Sequence, residues 1–117
     1  MFHEIKIIGN LGKEPELKFT PDGKAVCAFS VAASNKKDET VWYRITTWEK
    51  LAEVCNQYLH KGSKVFVNGV LKPGSDGSPR VFERKDGTWG ASYEVTASAV
   101  KFLSGKDEQP ANDDVPF

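Results

Sequence analysis

The 117-residue chain is 39% hydrophobic and 27% charged, a composition typical of one globular domain that needs no metal or disulfide to form a core. It contains no apolar run long enough to cross a bilayer and no signal-peptide layout at its start, so we expect a cytoplasmic protein. The formal net charge is zero, but residues 1–103 carry 15 Lys/Arg against 12 Asp/Glu, and residues 104–117 carry one against four. A mildly basic body with an acidic end suggests a polyanionic partner for the body and a different partner for the end.

The first half of the chain has the two-residue period of β-strands. Residues 4–8 form the first predicted strand, and a glycine-containing segment stops it. Residues 25–32 form the second, with Cys27, Phe29 and Val31 on one face. After a polar loop, residues 40–48 form the third. The pattern up to this point is a meander.

The period then changes to that of a helix. Apolar residues within 49–59 recur at spacings of three and four, which predicts an amphipathic helix. Residues 64–71 return to the strand pattern, residues 80–83 extend that strand beyond a turn-rich loop, and residues 91–100 form the last strand. The order predicts an all-β fold with one helix, a five-stranded Greek-key barrel of the oligonucleotide-binding (OB) type, over residues 1–103. We expect residues 104–117 to be a short disordered acidic tail.

The third strand carries an unusual set of side chains on one face. Because successive side chains point to opposite sides, Trp42, Arg44 and Trp48 share a face, and Tyr43 and Ile45 lie on the other. Indole rings stack on any nucleobase, and a guanidinium pairs with phosphate or stacks on a base. Burial of one indole at the end of the barrel or under a loop is the alternative.

Basic residues recur along the chain among further aromatic residues. Each lysine taken alone is typical of any protein surface, but interleaving with aromatics favours single-stranded nucleic acid. The predicted basic path comprises Lys18, Lys36, Lys37, Arg44, Lys50, Lys61, Lys72, Arg80 and Arg84, with Phe82 as a third stacking residue and Trp89 as a weaker fourth.

The acidic end finishes on an aromatic residue. Asp113 and Asp114 precede Val115, Pro116 and Phe117. This pattern suits a docking peptide whose phenyl ring enters an apolar pocket of a partner while basic residues of that partner bind the two carboxylates. A solubilising tail that happens to end on phenylalanine is the alternative.

The chain offers no convergent catalytic set, so an enzyme is the class that the sequence favours least. Neither His3 nor His60 lies in a nucleophile or metal-binding pattern, and we expect no cofactor and no metal site. Cys27 and Cys55 have no second cysteine or histidine at metal-ligand spacing. We expect them to be buried free thiols.

Several segments, in this order, resemble the bacterial-type single-stranded DNA-binding proteins. Their match extends over nearly the whole chain, and the acidic ending resembles the docking tip of that family. The segments are residues 9–12, 15–18, 42–45, 50–54, 58–63, 93–97 and 113–117.

The resemblance implies a homotetramer of OB-fold subunits around which single-stranded DNA wraps. It also implies protection of exposed strands during DNA replication, recombination and repair, and recruitment of partner proteins through residues 113–117. By position, the resemblance assigns stacking to Trp42, Trp48 and Phe82, and basic contacts to Lys18, Arg44, Lys50, Lys61 and Arg80.

Two rival interpretations remain open from the sequence. An OB-fold module specialised for RNA, or for one replication complex, would carry the same aromatic and basic residues. A structural subunit could bury its exposed aromatic rings in a protein interface instead. The segment 73–79 looks like an insertion that only some family members carry, and residues 104–112 make a shorter linker than the family's long tails.

Overall fold

A computed structural model describes residues 1–36 and 39–103. Within these residues the chain forms eight strands and one helix. The elements are β1 (Ile5–Leu11), β2 (Glu16–Phe19), β3 (Ala25–Lys36), β4 (Glu39–Trp48), α1 (Glu49–Tyr58), β5 (Lys64–Leu71), β6 (Val81–Glu83), β7 (Trp89–Ala91) and β8 (Tyr93–Phe102). In β1, β3 and β5 buried inward residues alternate with outward residues that are exposed in β1 and half-buried in most of β3 and β5.

Five strands close into a barrel in the order β1-β3-β4-β8-β5. The sheet runs β1-β5-β8-β4-β3-β2, and an additional pairing of β1 with β3 closes it. The β4–β8 pair is parallel, and the other ladders of the barrel are antiparallel. This closed five-stranded barrel with a helix between its third and fourth strands is the OB fold that the element order predicted.

The core fills the barrel and is closed at one end by α1. Cys27 and Val31 from β3 and Ile45 from β4 are fully buried, as the alternation predicted. The helix buries Ala52 and Cys55 against this core. Both cysteines are free thiols, which confirms the interpretation from their spacing.

The structure differs from the predicted elements in several places. β1 continues through Gly9 to Leu11 instead of stopping after residue 8, and β3 continues to Lys36, into the predicted polar loop. Residues 16–19 form β2, an additional short strand paired with the first half of β3. Residues 80–83 do not extend β5, because Val81–Glu83 pairs with Trp89–Ala91 in a separate two-stranded hairpin. The last strand consequently begins at Tyr93 rather than at residue 91.

In the part of the chain that the structure describes, no helix is long and apolar enough to cross a membrane. The predictions for Lys37 and for the tail over residues 104–117, including the docking tip at 113–117, concern residues outside those described.

Candidate nucleic-acid interface

The outer face of β4 carries the aromatic and basic side chains that the sequence predicted to share one side. Trp42, Arg44 and Trp48 are exposed, whereas Ile45 and Thr47 between them are fully buried. The exposed fraction is 54% for Trp42 and 40% for Trp48. Neither indole closes the barrel, so both rings have surface available for contacts.

Small side chains from β3 lie beside the large ones of β4. The antiparallel register places Ala32 opposite Trp42 and Ser30 opposite Arg44. Directly opposite residues in an antiparallel pair have side chains on the same face, about 4.5–5.5 Å apart. Because these neighbours are small, the indole and the guanidinium project above the sheet.

The ring of Trp42 lies across the glycine at the end of the first strand. A Cβ atom at Gly12 would lie 2.6 Å from Cζ3 and 2.7 Å from Cη2 of Trp42. Only glycine allows this close approach without displacing the indole. The second glycine of the segment 9–12 therefore fixes the position of a candidate stacking ring, a role that sequence reasoning did not identify.

Trp48 lies at the corner where β4 ends and α1 begins. The next residue, Glu49, has a φ of 54°, in the left-handed region that side chains with a Cβ rarely adopt. Trp48 itself is opposite Val26 of β3, and Lys18 of β2 is opposite Val26 on the other side. The chain thereby places a lysine, a small apolar residue and an indole in one row across three strands.

Arg44 stands near a carboxylate that another arginine already binds. The parallel register places Glu94 of β8 beside Arg44. Glu94 accepts hydrogen bonds from Arg80 Nη1 at 3.4 Å and from Ser92 Oγ at 3.1 Å, and its side chain is only 10% exposed. Arg80 is thus held beside β8, at the edge of the face that carries Arg44.

The other predicted cations are spread around the barrel surface. All of those described are exposed. Lys61 precedes Gly62, whose N–H donates to the carbonyl of Leu11. Leu11 in turn precedes Gly12, across which the ring of Trp42 lies. The remaining positions are Lys18 on β2, Lys36 at the end of β3, Lys50 in the first turn of α1, and Lys72 just after β5.

The β6–β7 hairpin carries the third and fourth predicted stacking residues on opposite faces. Phe82 is opposite Gly90, and Trp89 is opposite Glu83. Phe82 is 37% exposed and Trp89 is 64% exposed. The tip of the hairpin is a turn in which hydrogen bonds from Thr88, chiefly from its hydroxyl, lower the pKa of Asp86.

Arg84 lies along the hairpin rather than away from it. Its Cζ is 5.7 Å from the centre of the Phe82 ring, and its Nη1 donates to the Trp89 carbonyl at 2.7 Å. A Cβ atom at Gly90 would lie 2.3 Å from Arg84 Nη2. The guanidinium therefore occupies the space above Gly90 and covers part of the phenyl ring.

Tyr93 is an exposed aromatic residue near this region that the sequence did not single out. It is 61% exposed, and its ring centre is 5.7 Å from that of Tyr43. Tyr93 shares a side of β8 with the buried Val95, although its own side chain is exposed.

A closed five-stranded OB barrel with aromatic and basic side chains on its outer face defines the class of this domain. The model of the single-strand binding protein family matches residues 2–103. Single-stranded DNA-binding proteins of Neisseria meningitidis serogroup A (strain Z2491) and serogroup B (strain MC58) are each 36% identical to the chain over 114 residues. Single-stranded DNA-binding protein 1 of Chlorobaculum tepidum is 31% identical over 123 residues.

The chain belongs to the single-strand binding protein family. The alignment with the Neisseria proteins covers 91% of the chain and 62% of each relative, and that with the Chlorobaculum protein covers 98% and 73%. The chain thus spans about 62% of the length of the first two relatives.

Proposed function

We propose that this protein binds single-stranded DNA without strong sequence preference and without catalysing a reaction. The observation that carries the proposal is the shared outer face of β4, on which Trp42, Arg44 and Trp48 are all exposed. Aromatic stacking tolerates every base, and cations along the path neutralise phosphates, so affinity should fall as salt rises. Membership of the family and the names of the relatives support the same ligand.

The proposal assigns contacts to individual residues. Bases stack on Trp42 and Trp48, with Phe82 and Trp89 extending the path onto the hairpin. Phosphates lie along the basic residues around them, which are Lys18, Lys36, Lys37, Arg44, Lys50, Lys61, Lys72, Arg80 and Arg84.

Trp48→Ala tests the assignment most directly. Stacking is worth roughly 1–3 kcal/mol per base, a range that comes from alanine substitutions in single-strand-binding domains of this class, so we expect about 5- to 150-fold weaker binding of oligo-dT. Fluorescence titration measures the affinity, and circular dichroism checks the fold. Trp48→Phe should keep most of the affinity because a ring remains.

A matched control separates stacking from general loss of an exposed ring. Tyr58 is 53% exposed on α1, outside the proposed path, and Tyr58→Ala should leave the affinity for oligo-dT unchanged. Unchanged affinity for Trp48→Ala would contradict the proposed interface. Equal competition by an RNA oligomer of the same length would instead assign the module to RNA.

We further propose that the protein acts in the cytoplasm, on strands exposed during DNA replication, recombination and repair. Four copies would assemble into a homotetramer. Ile8 on the outer face of β1 is 45% exposed and lies opposite Phe66 of β5, which offers an apolar surface for such an assembly. The proposed division of the chain assigns DNA to residues 1–103 and partner proteins to the ending Asp113, Asp114, Val115, Pro116 and Phe117.

A further inference from the structure

A cavity of about 740 Å³ lies between the segment 73–79 and the start of β8. Its volume is in the range of about 300–1,000 Å³ that is usual for small-ligand sites. The walls are mostly apolar, with a lysine at the edge. The lining includes Leu71, Lys72, Pro73, Pro79, Ala91 and Tyr93.

Hydrogen bonds hold the segment that forms one wall. Gly74 N–H donates to the Ser78 carbonyl at 2.7 Å, and Ser78 N–H donates to Asp76 Oδ1 at 2.9 Å. Hydrogen bonds from Ser78, first from its backbone N–H and then from its side chain, lower the pKa of the Asp76 carboxyl. The segment is therefore a folded loop with its own hydrogen bonds, and it forms one wall of the cavity.

Both ends of the loop are tied to β8, which forms the opposite wall. Lys72 N–H donates to the Glu94 carbonyl at 2.7 Å, and Arg80 Nη1 contacts Glu94 Oε2 at 3.4 Å. The cavity thus has a fixed relation to β8.

The cavity reaches the proposed DNA face at Glu94, which lines it and is the Cα partner of Arg44. Tyr93 is the Cα partner of Tyr43 and lies on the other side of β8, so the cavity spans the start of that strand. A strand that crosses Arg44 toward Arg80 therefore reaches the edge of the cavity. Tyr93 supplies an aromatic wall there, and Lys72 supplies a positive charge for the phosphate that follows.

We propose that this cavity binds one nucleobase of the single strand held on the outer face of β4, with the base stacked against Tyr93. The inference rests on the proposed function, because the same bound strand supplies the base. An aromatic ring, two prolines and a leucine suit the flat apolar faces of a base. Because residues of the segment 73–79 line the cavity, the site depends on this loop.

Tyr93→Leu removes the ring and keeps an apolar side chain. We expect the affinity of the full chain for oligo-dT to fall about 5- to 150-fold, the effect of losing one stacked base. Tyr93→Phe should bind like the unmodified chain. Tyr58→Leu is the matched control, because Tyr58 is similarly exposed at 53% and also contacts one other ring, that of Phe102.

A second variant fills the cavity without removing the aromatic ring. Ala91 is exposed in β7 and lines the cavity, so Ala91→Ile suits the strand and occupies part of the space. We expect Ala91→Ile also to weaken binding of oligo-dT. Circular dichroism and thermal unfolding confirm that each variant is folded before its affinity is compared.

The outcomes separate this inference from the function on which it rests. If Tyr93→Leu and Ala91→Ile bind like the unmodified chain while Trp48→Ala binds weakly, the cavity does not hold a base and the β4 face stands. If Trp48→Ala also binds normally, the proposed function itself fails. If free dTMP binds the unmodified chain but not Tyr93→Leu, and oligo-dT affinity is the same for both, the cavity takes free nucleotides and the inference is overturned.

Discussion

Trp42 and Trp48 share one face of β4, but the chain fixes them by different means. Trp42 lies across the backbone of Gly12, so part of one ring edge is already in contact with protein. Trp48 precedes the corner at Glu49, whose positive φ costs roughly 1–2 kcal/mol for a residue with a Cβ. The two indoles are therefore positioned by separate local devices, and a change at one should not displace the other.

Cys55 is a residue whose thiol chemistry is set chiefly by burial. Burial raises the pKa of its thiol to about 12, and the nearby Cys27 adds to the shift, while a hydrogen bond with Thr47 opposes it. Since the folded pKa lies above the unfolded value of about 8.5, the folded state holds this proton more tightly. The resulting stabilisation is complete below about pH 8.5 and is lost as the pH rises toward 12.

We therefore expect the free energy of unfolding to fall by roughly 2–3 kcal/mol more in the unmodified chain than in Cys55→Ala between pH 8 and pH 10.5. Urea unfolding at both pH values measures the difference. The alanine variant has no thiol to titrate at this position, so it reports the pH dependence of all other groups. Parallel losses in the two chains would show that the Cys55 thiol does not contribute.

Single residues were predictable where their role depends on local alternation. The shared face of Trp42, Arg44 and Trp48 follows from a two-residue period within nine positions. The contact of Gly12 with Trp42 joins residues 30 positions apart, and no local pattern contains it. The same holds for the contact between the rings of Tyr93 and Tyr43, which lie on different strands.

The β6–β7 hairpin is the element in which a cation and a stacking ring depend on each other. Arg84 covers Phe82, donates to the Trp89 carbonyl, and fills the space that a side chain at Gly90 would need. A guanidinium over an aromatic ring contributes about 0.5–1 kcal/mol at an exposed site. The structure thus gives Arg84 a bracing contact in addition to the phosphate contact predicted for it.

Gly90→Ala separates these two roles because it displaces the guanidinium and keeps its charge. If Arg84 acts mainly by holding Phe82 and the hairpin, we expect binding of oligo-dT to weaken about 2- to 5-fold with an unchanged salt dependence. A titration at several salt concentrations measures both quantities. Arg84→Lys should give the same loss, since it keeps the charge without the planar group.

The opposite result would assign Arg84 to phosphate alone. In that case Gly90→Ala would bind at least as tightly as the unmodified chain, because its guanidinium would be released toward the strand. Arg84→Ala would then lower the slope of log affinity against log salt by about 0.7 for a single strand. Glu83→Ala on the other face of the hairpin provides a control for general disturbance of this element.

The short elements were the ones that the sequence did not predict. β2 has only four residues, of which Leu17 alone is even half-buried, so its apolar alternation is too short to recognise. Its pairing with residues 25–28 of β3 is what makes it a strand. The hairpin is likewise defined by the pairing of Val81–Glu83 with Trp89–Ala91, and the three-residue runs alone resemble an extension of β5.

The closed barrel was predictable because its long elements differ clearly in period. Four strands and the helix each show their pattern over eight residues or more, and their order admits few arrangements with a single helix before the fourth strand. The parallel pairing of β4 with β8 follows from closure and has no local signature. The family was therefore predictable from the order of the motifs, whereas the positions of the cations on the surface required the folded structure.

The proposed division between barrel and tail leads to a test on the full chain. All proposed stacking residues, including Tyr93, lie within residues 42–93, whereas Val115, Pro116 and Phe117 form the apolar part of the ending. Removing these last three residues removes no charged side chain and only moves the terminal carboxylate. We expect oligo-dT affinity to stay within about twofold of the unmodified chain, and native mass spectrometry to show the same four copies bound to a long oligo-dT.

The same truncation should abolish capture of replication and repair proteins on the immobilised chain, since the partner pocket would lose its aromatic anchor. The variant with both Asp113→Asn and Asp114→Asn is the matched control, because it keeps the ring and removes the two charges. Capture by this variant should persist at low salt. As the salt concentration rises, it should fall less steeply than capture by the unmodified chain, because fewer charges contribute to binding. Loss of both DNA binding and capture in the truncated chain would contradict the division, because the tip would then support the barrel rather than a partner.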